Sequence, residues 1–202
     1  VEAKLDWDRF TAELRGHATA VRPFPISVQP WSERQVPEGD ALAAQMRALR
    51  ERHSLGDAAL GVGVDRIDYT KGLAERFRAV DRFFEANPEF RGRFTFVQLG
   101  APSRTHIPRY RDHLSELERL ADEINWKHKL DGSGWTPIRF LIDHHDGETV
   151  HAFLRMARVC VVSSLHDGMN LVAKEFVAAQ GEALERDGAE AGVLVLSEFA
   201  GA

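Results

Sequence analysis

Short apolar runs alternate with amphipathic helical patterns over most of this 202-residue chain. A run such as Val159–Val162 is too short to be a helix, and each run is followed by a segment in which apolar residues recur at helical spacing. Strands that alternate with helices of this length form right-handed βαβ units around a mainly parallel sheet. The alternation therefore predicts an α/β fold with a Rossmann-like, doubly wound sheet. The helical spacing is clearest at Leu73, Phe77, Val80 and Phe84.

The same alternation sets the predicted domain organisation. Residues 1–20 are predicted to form a helix, and residues 29–40 a polar, Pro-containing linker or surface loop. We assign residues 1–40 to the remnant of an N-terminal domain with its linker, and residues 41–202 to one doubly wound domain. Both ends look cut, so we expect a fragment of a longer protein. From residue 41 onward the predicted helices are 41–53, 73–86, 107–130, 148–157 and 170–186, and the predicted strands are 58–64, 94–99, 138–142, 159–162 and 193–196.

Composition and charge argue against several classes of function. The net charge of −5 gives no electrostatic support for binding nucleic acid or an anionic membrane. No signal peptide and no apolar run long enough to span a bilayer is present, so we expect a cytoplasmic protein without membrane contact. The single cysteine, Cys160, lies within an apolar run and is expected in the core. The nine histidines show no HExxH spacing, and no metal is expected.

Residues 167–175 (Asp-Gly-Met-Asn-Leu-Val-Ala-Lys-Glu) connect a predicted strand to a predicted helix through a tight turn. Asn170 is the expected N-cap of that helix. Unpaired N–H groups at a helix start bind anions, so the amides of Met169 to Val172 are candidates for holding a phosphate. Glu175, slightly more than one turn further on, is a candidate for accepting hydrogen bonds from sugar hydroxyls. The alternative is an ordinary capped helix in an α/β domain.

Cationic side chains follow the first two strands of the predicted sheet. Arg66 and Lys71 come after one strand, and Arg104 comes after the next. The carboxyl ends of parallel strands meet at one edge of the sheet, which is where such folds bind ligands. Arg offers a planar fork suited to phosphate oxygens, and Lys offers a mobile point charge. Asp65 and Asp68 are expected to orient Arg66. The alternative is a solvated loop with internal ion pairs.

Two motifs near the third strand carry less information. His144 and His145 lie between aspartates after that strand, but adjacent side chains point in different directions and no further ligand stands at helical spacing. Three interpretations of this segment stay open: it is a loop that contacts a nucleobase, it is a lid loop, or it is plain solvated surface. Trp135, before the strand, is expected to serve packing at the opposite edge of the sheet.

Five motifs occur in order along the chain: residues 64–72 (Val-Asp-Arg-Ile-Asp-Tyr-Thr-Lys-Gly), 102–104 (Pro-Ser-Arg), 135–138 (Trp-Thr-Pro-Ile), 167–175 and 192–202. Together they resemble the C-terminal half of trehalose-6-phosphate synthase-type glycosyltransferases. The resemblance implies a twin-Rossmann (GT-B) architecture and a metal-independent, retaining transfer from a nucleotide sugar. In this family the nucleotide sugar binds the C-terminal domain, and the acceptor sugar phosphate binds mostly the N-terminal domain. No cofactor is implied beyond the UDP- or GDP-linked donor.

The resemblance also implies a role for each candidate residue. Arg66 and Lys71 would hold the donor diphosphate and Asp167 would contact the transferred sugar, and these three are the implied catalytic residues. Arg104 would reach the phosphate of the acceptor, and Glu175 the ribose of the nucleotide. The remaining implied donor contacts are the loop at His144 and His145, near the nucleobase, and the backbone at Gly168, Met169, Asn170, Leu171 and Val172.

One departure from the family pattern leaves the substrates open. Family members commonly carry Pro-Leu-Arg before Asp-Gly-Met-Asn, and this chain has Ser164-Leu165-His166 instead. Pseudo-glycosyltransferases such as validoxylamine 7'-phosphate synthase, which join a nucleotide-linked cyclitol to an aminocyclitol phosphate, resemble the same motifs. A non-catalytic nucleotide-binding domain is the third alternative. The implied partners are the substrates and the missing N-terminal domain, with a second copy of the chain as an open alternative. The isolated fragment is expected to be inactive.

Overall fold

Within residues 2–188 and 190–202, which the computed structural model describes, the chain forms a small antiparallel sheet followed by a five-stranded parallel sheet with helices on both faces. The strands are β1 (Lys4–Asp6), β2 (Thr11–Leu14), β3 (His17–Ala20), β4 (Ala59–Arg66), β5 (Phe94–Ala101), β6 (Ile138–Ile142), β7 (Ala157–Val162) and β8 (Val193–Leu196). The α-helices are α1 (Gly39–Arg52), α2 (Leu73–Ala86), α3 (Pro108–His128), α4 (Gly147–Met156) and α5 (Leu171–Asp187).

The parallel sheet has the strand order β6-β5-β4-β7-β8. Every neighbouring pair in it is parallel, which confirms the predicted doubly wound fold. The chain moves outward from β4 through β5 to β6, then returns to place β7 on the other side of β4. The connections after β4 and β7 therefore leave in opposite directions. In doubly wound folds ligands bind between the carboxyl ends of two such strands, and we call this region the crevice.

Two apolar cores lie on the two faces of the parallel sheet. On one face, α2 and α3 pack against β5 and β6. On the other, α1, α4 and α5 pack against β4 and β7. Cys160 is fully buried in the second core, as predicted, and burial raises the pKa of its thiol to about 12. The largest apolar side chains of the first core are Phe77, Phe84, Phe96 and Leu117, and those of the second are Trp31, Leu60, Phe153 and Phe176.

The helix predicted over residues 1–20 is wrong. Residue 1 lies outside the described residues, and the rest of this segment contains the antiparallel strands β1, β2 and β3. The turn between β2 and β3 has two residues, Arg15 and Gly16, with φ of 53° and 79°. Two successive positive φ values make the type I′ turn that joins hairpin strands. The helical spacing of Leu5, Phe10 and Leu14 is a coincidence, because all three are exposed.

Tryptophans anchor two of the connecting segments. Trp31, within the predicted linker, is 1% exposed, and its indole N–H donates to the backbone oxygen of Glu175 at 2.9 Å. Contacts with the parallel-sheet domain therefore begin before residue 41, and the boundary at residue 40 stays a prediction. Trp135 packs edge-on against Phe84 and donates to the backbone oxygen of Phe94 at 3.0 Å. Its predicted packing role is confirmed.

Candidate functional site

The start of α5 faces the crevice between β4 and β7. Asn170 caps the helix, since its side-chain oxygen accepts a hydrogen bond from the amide of Ala173 at 3.0 Å, as predicted. The amide of Asn170 donates to the backbone oxygen of Gly201 at 2.5 Å and is not available to a ligand. Among the described residues, no hydrogen bond is made by the amides of Met169, Leu171 and Val172. Three of the four predicted anion-binding amides therefore remain open.

The segment after β8 holds this turn in shape. The amide of Asp167 donates to the oxygen of Phe199 at 3.1 Å, and the amide of Gly201 donates to the oxygen of Asp167 at 3.0 Å. A Cβ atom on Gly201 would lie 2.3 Å from the oxygen of Gly168, so only glycine fits there. Gly201 lies within the motif at residues 192–202, and its close contact with the backbone of Gly168 is the physical reason why this position requires glycine.

Lys71 and Asp167 join the two sides of the crevice. Lys71 Nζ lies 2.6 Å from Asp167 Oδ2, and both side chains are about 85% buried, with exposures of 15% and 14%. The same oxygen accepts hydrogen bonds from the Asn170 amide group at 3.1 Å and from the Ser164 hydroxyl at 3.3 Å. Burial works to raise the pKa of Asp167, but the hydrogen bonds from Lys71 and Asn170 outweigh it and the pKa is lowered. Asp167 is therefore an ionised carboxylate at neutral pH.

Backbone contacts bring the loop after β4 (residues 67–72, the β4 loop) against the loop after β7 (residues 163–170, the β7 loop). The amides of Leu165 and His166 donate to the oxygen of Thr70 at 2.8 and 3.4 Å. Gly72 has φ of +64°, and a Cβ atom there would lie 2.2 Å from the backbone oxygen of Ser163. A glycine at this position is what permits the two loops to approach so closely.

The expectation that Asp65 orients Arg66 is wrong. Asp65 is 4% exposed and pairs at 2.8 Å with Arg76 of α2, whose side chain is 1% exposed. Neighbouring residues of a strand point to opposite faces, so Asp65 points into the α2 face while Arg66 stays at the exposed end of β4. Burial raises the pKa of Asp65, and the charge of Arg76 offsets this only in part.

Arg66 and Arg104 lie at the same edge of the sheet, at the ends of β4 and β5. Neither makes a salt bridge with a described residue, so both are open to an anionic ligand. Burial works to raise the pKa of Asp68, but the hydrogen bonds that its carboxylate accepts from Thr70, together with the charge of Arg66, outweigh it and the pKa is lowered. Arg104 has φ of +48° and donates to the Tyr110 hydroxyl at 2.9 Å. The structure thus gathers the predicted cations at the carboxyl edge of β4 and β5.

Glu175 has a partner that the sequence did not indicate. Arg34 Nη1 lies 3.0 Å from Glu175 Oε1, and the guanidinium of Arg34 stacks 4.1 Å from the centre of the Trp31 ring. Arg34 comes from the segment predicted as a linker. It lies 141 residues away in the chain, so no local pattern could have paired the two. The contact fixes one carboxylate oxygen of Glu175 beside the start of α5.

The two adjacent histidines lie further out on the same edge. They follow β6, the outermost strand, and are separated from β7 by β5 and β4. His145 Nε2 is 3.2 Å from the oxygen of Leu141, and the amide of His144 donates to the Asp143 carboxylate at 2.7 Å. Their contact with a nucleobase stays a prediction. Within residues 2–188 and 190–202, no three His, Cys, Asp or Glu side chains are grouped to hold a metal ion.

Comparisons with known proteins identify the family of this chain. The model of glycosyltransferase family 20 matches residues 1–202. A trehalose-6-phosphate synthase from Sodalis glossinidius is 38% identical over 198 residues, which cover 98% of this chain and 39% of that protein. A trehalose-6-phosphate structure from E. coli, bound with UDP-2-fluoro glucose, superposes with a TM-score of 0.78 at 34% identity, covering 98% of this chain and 42% of the other.

A third relative was solved with a different small molecule. An alpha,alpha-trehalose-phosphate synthase (UDP-forming) from Burkholderia xenovorans, in complex with glucose-6-phosphate, has a TM-score of 0.74 at 35% identity, covering 94% of this chain and 40% of the other. The chain spans about two fifths of the length of the curated relatives it matches. No helix in the described part of the chain has both the length and the apolar character needed to cross a bilayer.

Proposed function

Because the chain belongs to glycosyltransferase family 20, we propose that it forms the donor-binding half of an enzyme that moves a glucosyl unit from a nucleotide sugar to a sugar 6-phosphate. The observation that carries the proposal is the convergence of the β4 and β7 loops on the start of α5. There Lys71 comes within 2.6 Å of Asp167, beside the open amides of Leu171 and Val172. A departing diphosphate needs this combination of cations and N–H donors.

The leaving group explains why cations matter most in this pocket. As the bond between the sugar C1 and the diphosphate oxygen breaks, negative charge builds on the diphosphate. Lys71 and Arg66 stabilise that charge, and the amides at the start of α5 add hydrogen bonds and the favourable end of the helix dipole. These groups perform the charge stabilisation for which other transferases use a metal ion.

Asp167 and Glu175 suit the hydroxyl-bearing parts of the donor. Asp167 Oδ2 is occupied by Lys71, Asn170 and Ser164, and Oδ1 has no recorded partner among the described residues. Oδ1 is therefore the proposed acceptor for a hydroxyl of the transferred sugar. The contact of Glu175 with Arg34 leaves its second carboxylate oxygen for a ribose hydroxyl.

The reaction we propose proceeds with retention and without an enzymic nucleophile. The acceptor hydroxyl oxygen bonds to C1 on the face from which the diphosphate departs, and its proton passes to a phosphate oxygen of the leaving group. Arg104 holds the phosphate of the acceptor across the cleft. The family resemblance implies that an N-terminal domain supplies the other wall of the cleft, and these 202 residues alone are not expected to turn over.

UDP-glucose and glucose 6-phosphate are the substrates best supported by the relatives. One relative was solved with UDP-2-fluoro glucose and another with glucose-6-phosphate. His166 supports a second candidate reaction, because this exposed residue lies next to Asp167 at a position where the family commonly has Arg. That candidate is the coupling of a nucleotide-linked cyclitol to an aminocyclitol phosphate.

A transfer assay with the full-length protein tests the proposal. UDP-, GDP- and ADP-glucose are each offered with glucose 6-phosphate, and the product mass is measured. A phosphorylated disaccharide from UDP-glucose is expected. Product only from a nucleotide-linked cyclitol with an aminocyclitol phosphate would favour the second candidate. The absence of product from every donor would leave a non-catalytic nucleotide-binding domain.

A further inference from the structure

A buried polar network lies beneath the crevice and takes no part in the contacts assigned to the donor. Its centre is Arg76 of α2, which is 1% exposed. Arg76 donates to the Asp65 carboxylate at 2.8 Å, to the Gln98 side-chain oxygen at 2.6 Å and to the Ser163 hydroxyl at 3.0 Å. The network thereby connects α2, β4, β5 and the β7 loop at one point.

Ser163 links Arg76 to the β4 loop by hydrogen bonds. Its hydroxyl oxygen accepts the hydrogen bond from Arg76 Nε, and its hydroxyl hydrogen is donated to the backbone oxygen of Gly72 at 2.8 Å. The backbone oxygen of Lys71 is the second, longer acceptor at 3.3 Å. One hydroxyl is therefore acceptor on the Arg76 side and donor on the Lys71–Gly72 side. No other hydroxyl among the described residues joins the network to this turn.

We propose that Ser163, held by Arg76, is a positioning residue that fixes the backbone at Lys71 so that its ammonium group lies where the donor diphosphate binds. This inference rests on the proposed function. A lysine side chain has four flexible methylene groups, so its head is placed only as well as its backbone is fixed. If the backbone is already fixed before the ligand binds, the loop loses less conformational entropy on binding, and the affinity is higher.

The make-up of the network favours positioning over simple packing. Burying the Asp65–Arg76 pair requires taking two charges out of water, and apolar side chains of similar volume commonly stabilise a fold as well or better. What the charged network adds is directional contacts. They converge on the Ser163 hydroxyl and, through it, on the backbone beside the proposed diphosphate site.

The test compares Ser163→Ala with a matched control, Thr95→Val. Thr95 is 1% exposed, and its hydroxyl donates to a backbone oxygen at 3.2 Å at the opposite edge of the sheet. Both variants thus lose one hydroxyl that donates to a backbone oxygen. In the full-length protein, affinities for UDP and for uridine are measured by calorimetry, together with urea unfolding. We expect Ser163→Ala to weaken UDP by roughly five- to tenfold and leave uridine unchanged, because losing one hydrogen bond has about this effect. Thr95→Val should change neither affinity.

Two further variants separate positioning from general damage. Ser163→Thr keeps the hydroxyl and should bind UDP nearly as well as wild type. In a Lys71→Ala background, Ser163→Ala should cause no further loss of UDP affinity. Two results would refute the positioning role. One is that wild type binds UDP more tightly than uridine and Ser163→Ala does so by the same factor. The other is that Ser163→Ala lowers UDP affinity as much in the Lys71→Ala background as in wild type. If wild type itself binds UDP no better than uridine, the proposed function fails first.

Discussion

Gly72 offers the sharpest test of the close approach between the β4 and β7 loops. Its φ of +64° lies in the left-handed region, and a Cβ atom would lie 2.2 Å from the backbone oxygen of Ser163. Real Cβ atoms essentially never come within 3.0 Å of such an atom, so the loops of a Gly72→Ala variant must separate by roughly 0.8 Å. That separation moves Lys71 away from Asp167.

The expected cost has two parts. An alanine in the left-handed region costs about 1–2 kcal/mol, and forcing apart well-packed atoms costs about 1–3 kcal/mol more. Gly72→Ala should therefore lower the free energy of unfolding by about 2–5 kcal/mol. Gly132→Ala is the matched control, because Gly132 has φ of +75° with nothing within 4 Å of the added Cβ. It should carry only the first part, about 1–2 kcal/mol.

Urea denaturation of wild type and both variants, followed by UDP titration of the folded proteins, measures both effects. UDP affinity should fall by about tenfold in Gly72→Ala, since losing most of one charge-assisted contact costs about 1.5 kcal/mol, and should be unchanged in Gly132→Ala. Equal stabilities of the two variants, with UDP affinity retained in both, would refute the close approach as the feature that builds the site.

Further predictions concern single groups. Arg66→Ala should weaken UDP binding by about 1.5–3 kcal/mol, the value of a charge-assisted contact, whereas calorimetry of Arg82→Ala, an exposed arginine of α2, should show wild-type affinity. Glu175→Gln should weaken UDP and uridine alike but hardly affect pyrophosphate, and an equal loss for pyrophosphate would contradict the ribose role. Because the folded-state pKa of Asp167 is lowered, its ionised form stabilises the fold above about pH 4 and that contribution is lost as pH falls through the folded-state value. The difference in unfolding free energy between wild type and Asp167→Asn should therefore shrink on acidification, and a constant difference in urea titrations would argue against the ion pair. Cys160, with a thiol pKa of about 12, should resist alkylation at pH 8 until the protein is unfolded, and rapid labelling of the native protein would contradict its burial.

The elements of the parallel sheet were predictable because their signal is local. The predicted bounds of α2, residues 73–86, match the structure, since its apolar residues fall on one face at helical spacing. The bounds of β6 and β8 also match. Asn170 as the cap of α5 was predictable for the same reason, because a cap bonds an amide only three residues away.

The N-terminal hairpin shows where local spacing misleads. Three apolar residues at near-helical steps within residues 1–20 suggested a helix, yet Arg15-Gly16 is a two-residue turn whose conformation suits a hairpin. Apolar spacing predicts a helix only if the face it forms is buried, and Phe10 and Leu14 are 59% and 44% exposed. The glycine was the signal that could have favoured strands.

The supporting contacts of the site were beyond sequence reasoning for a different reason. Glu175 pairs with Arg34 across 141 residues, and Asp65 pairs with Arg76 on another element. Such pairings depend on how elements pack, which spacing along the chain does not encode. The position of Arg66 and Lys71 at the carboxyl edge of the sheet, where the β7 loop also lies, was predictable, because the carboxyl ends of parallel strands coincide in any doubly wound fold.

A crystal structure of the full-length protein with UDP would test most directly whether these loops make a diphosphate pocket. We expect diphosphate oxygens within about 3 Å of Lys71 Nζ and of the amides of Leu171 and Val172, with the Arg66 guanidinium alongside. UDP bound elsewhere, or bound with its diphosphate out of reach of both cations, would show that these loops do not form a diphosphate pocket.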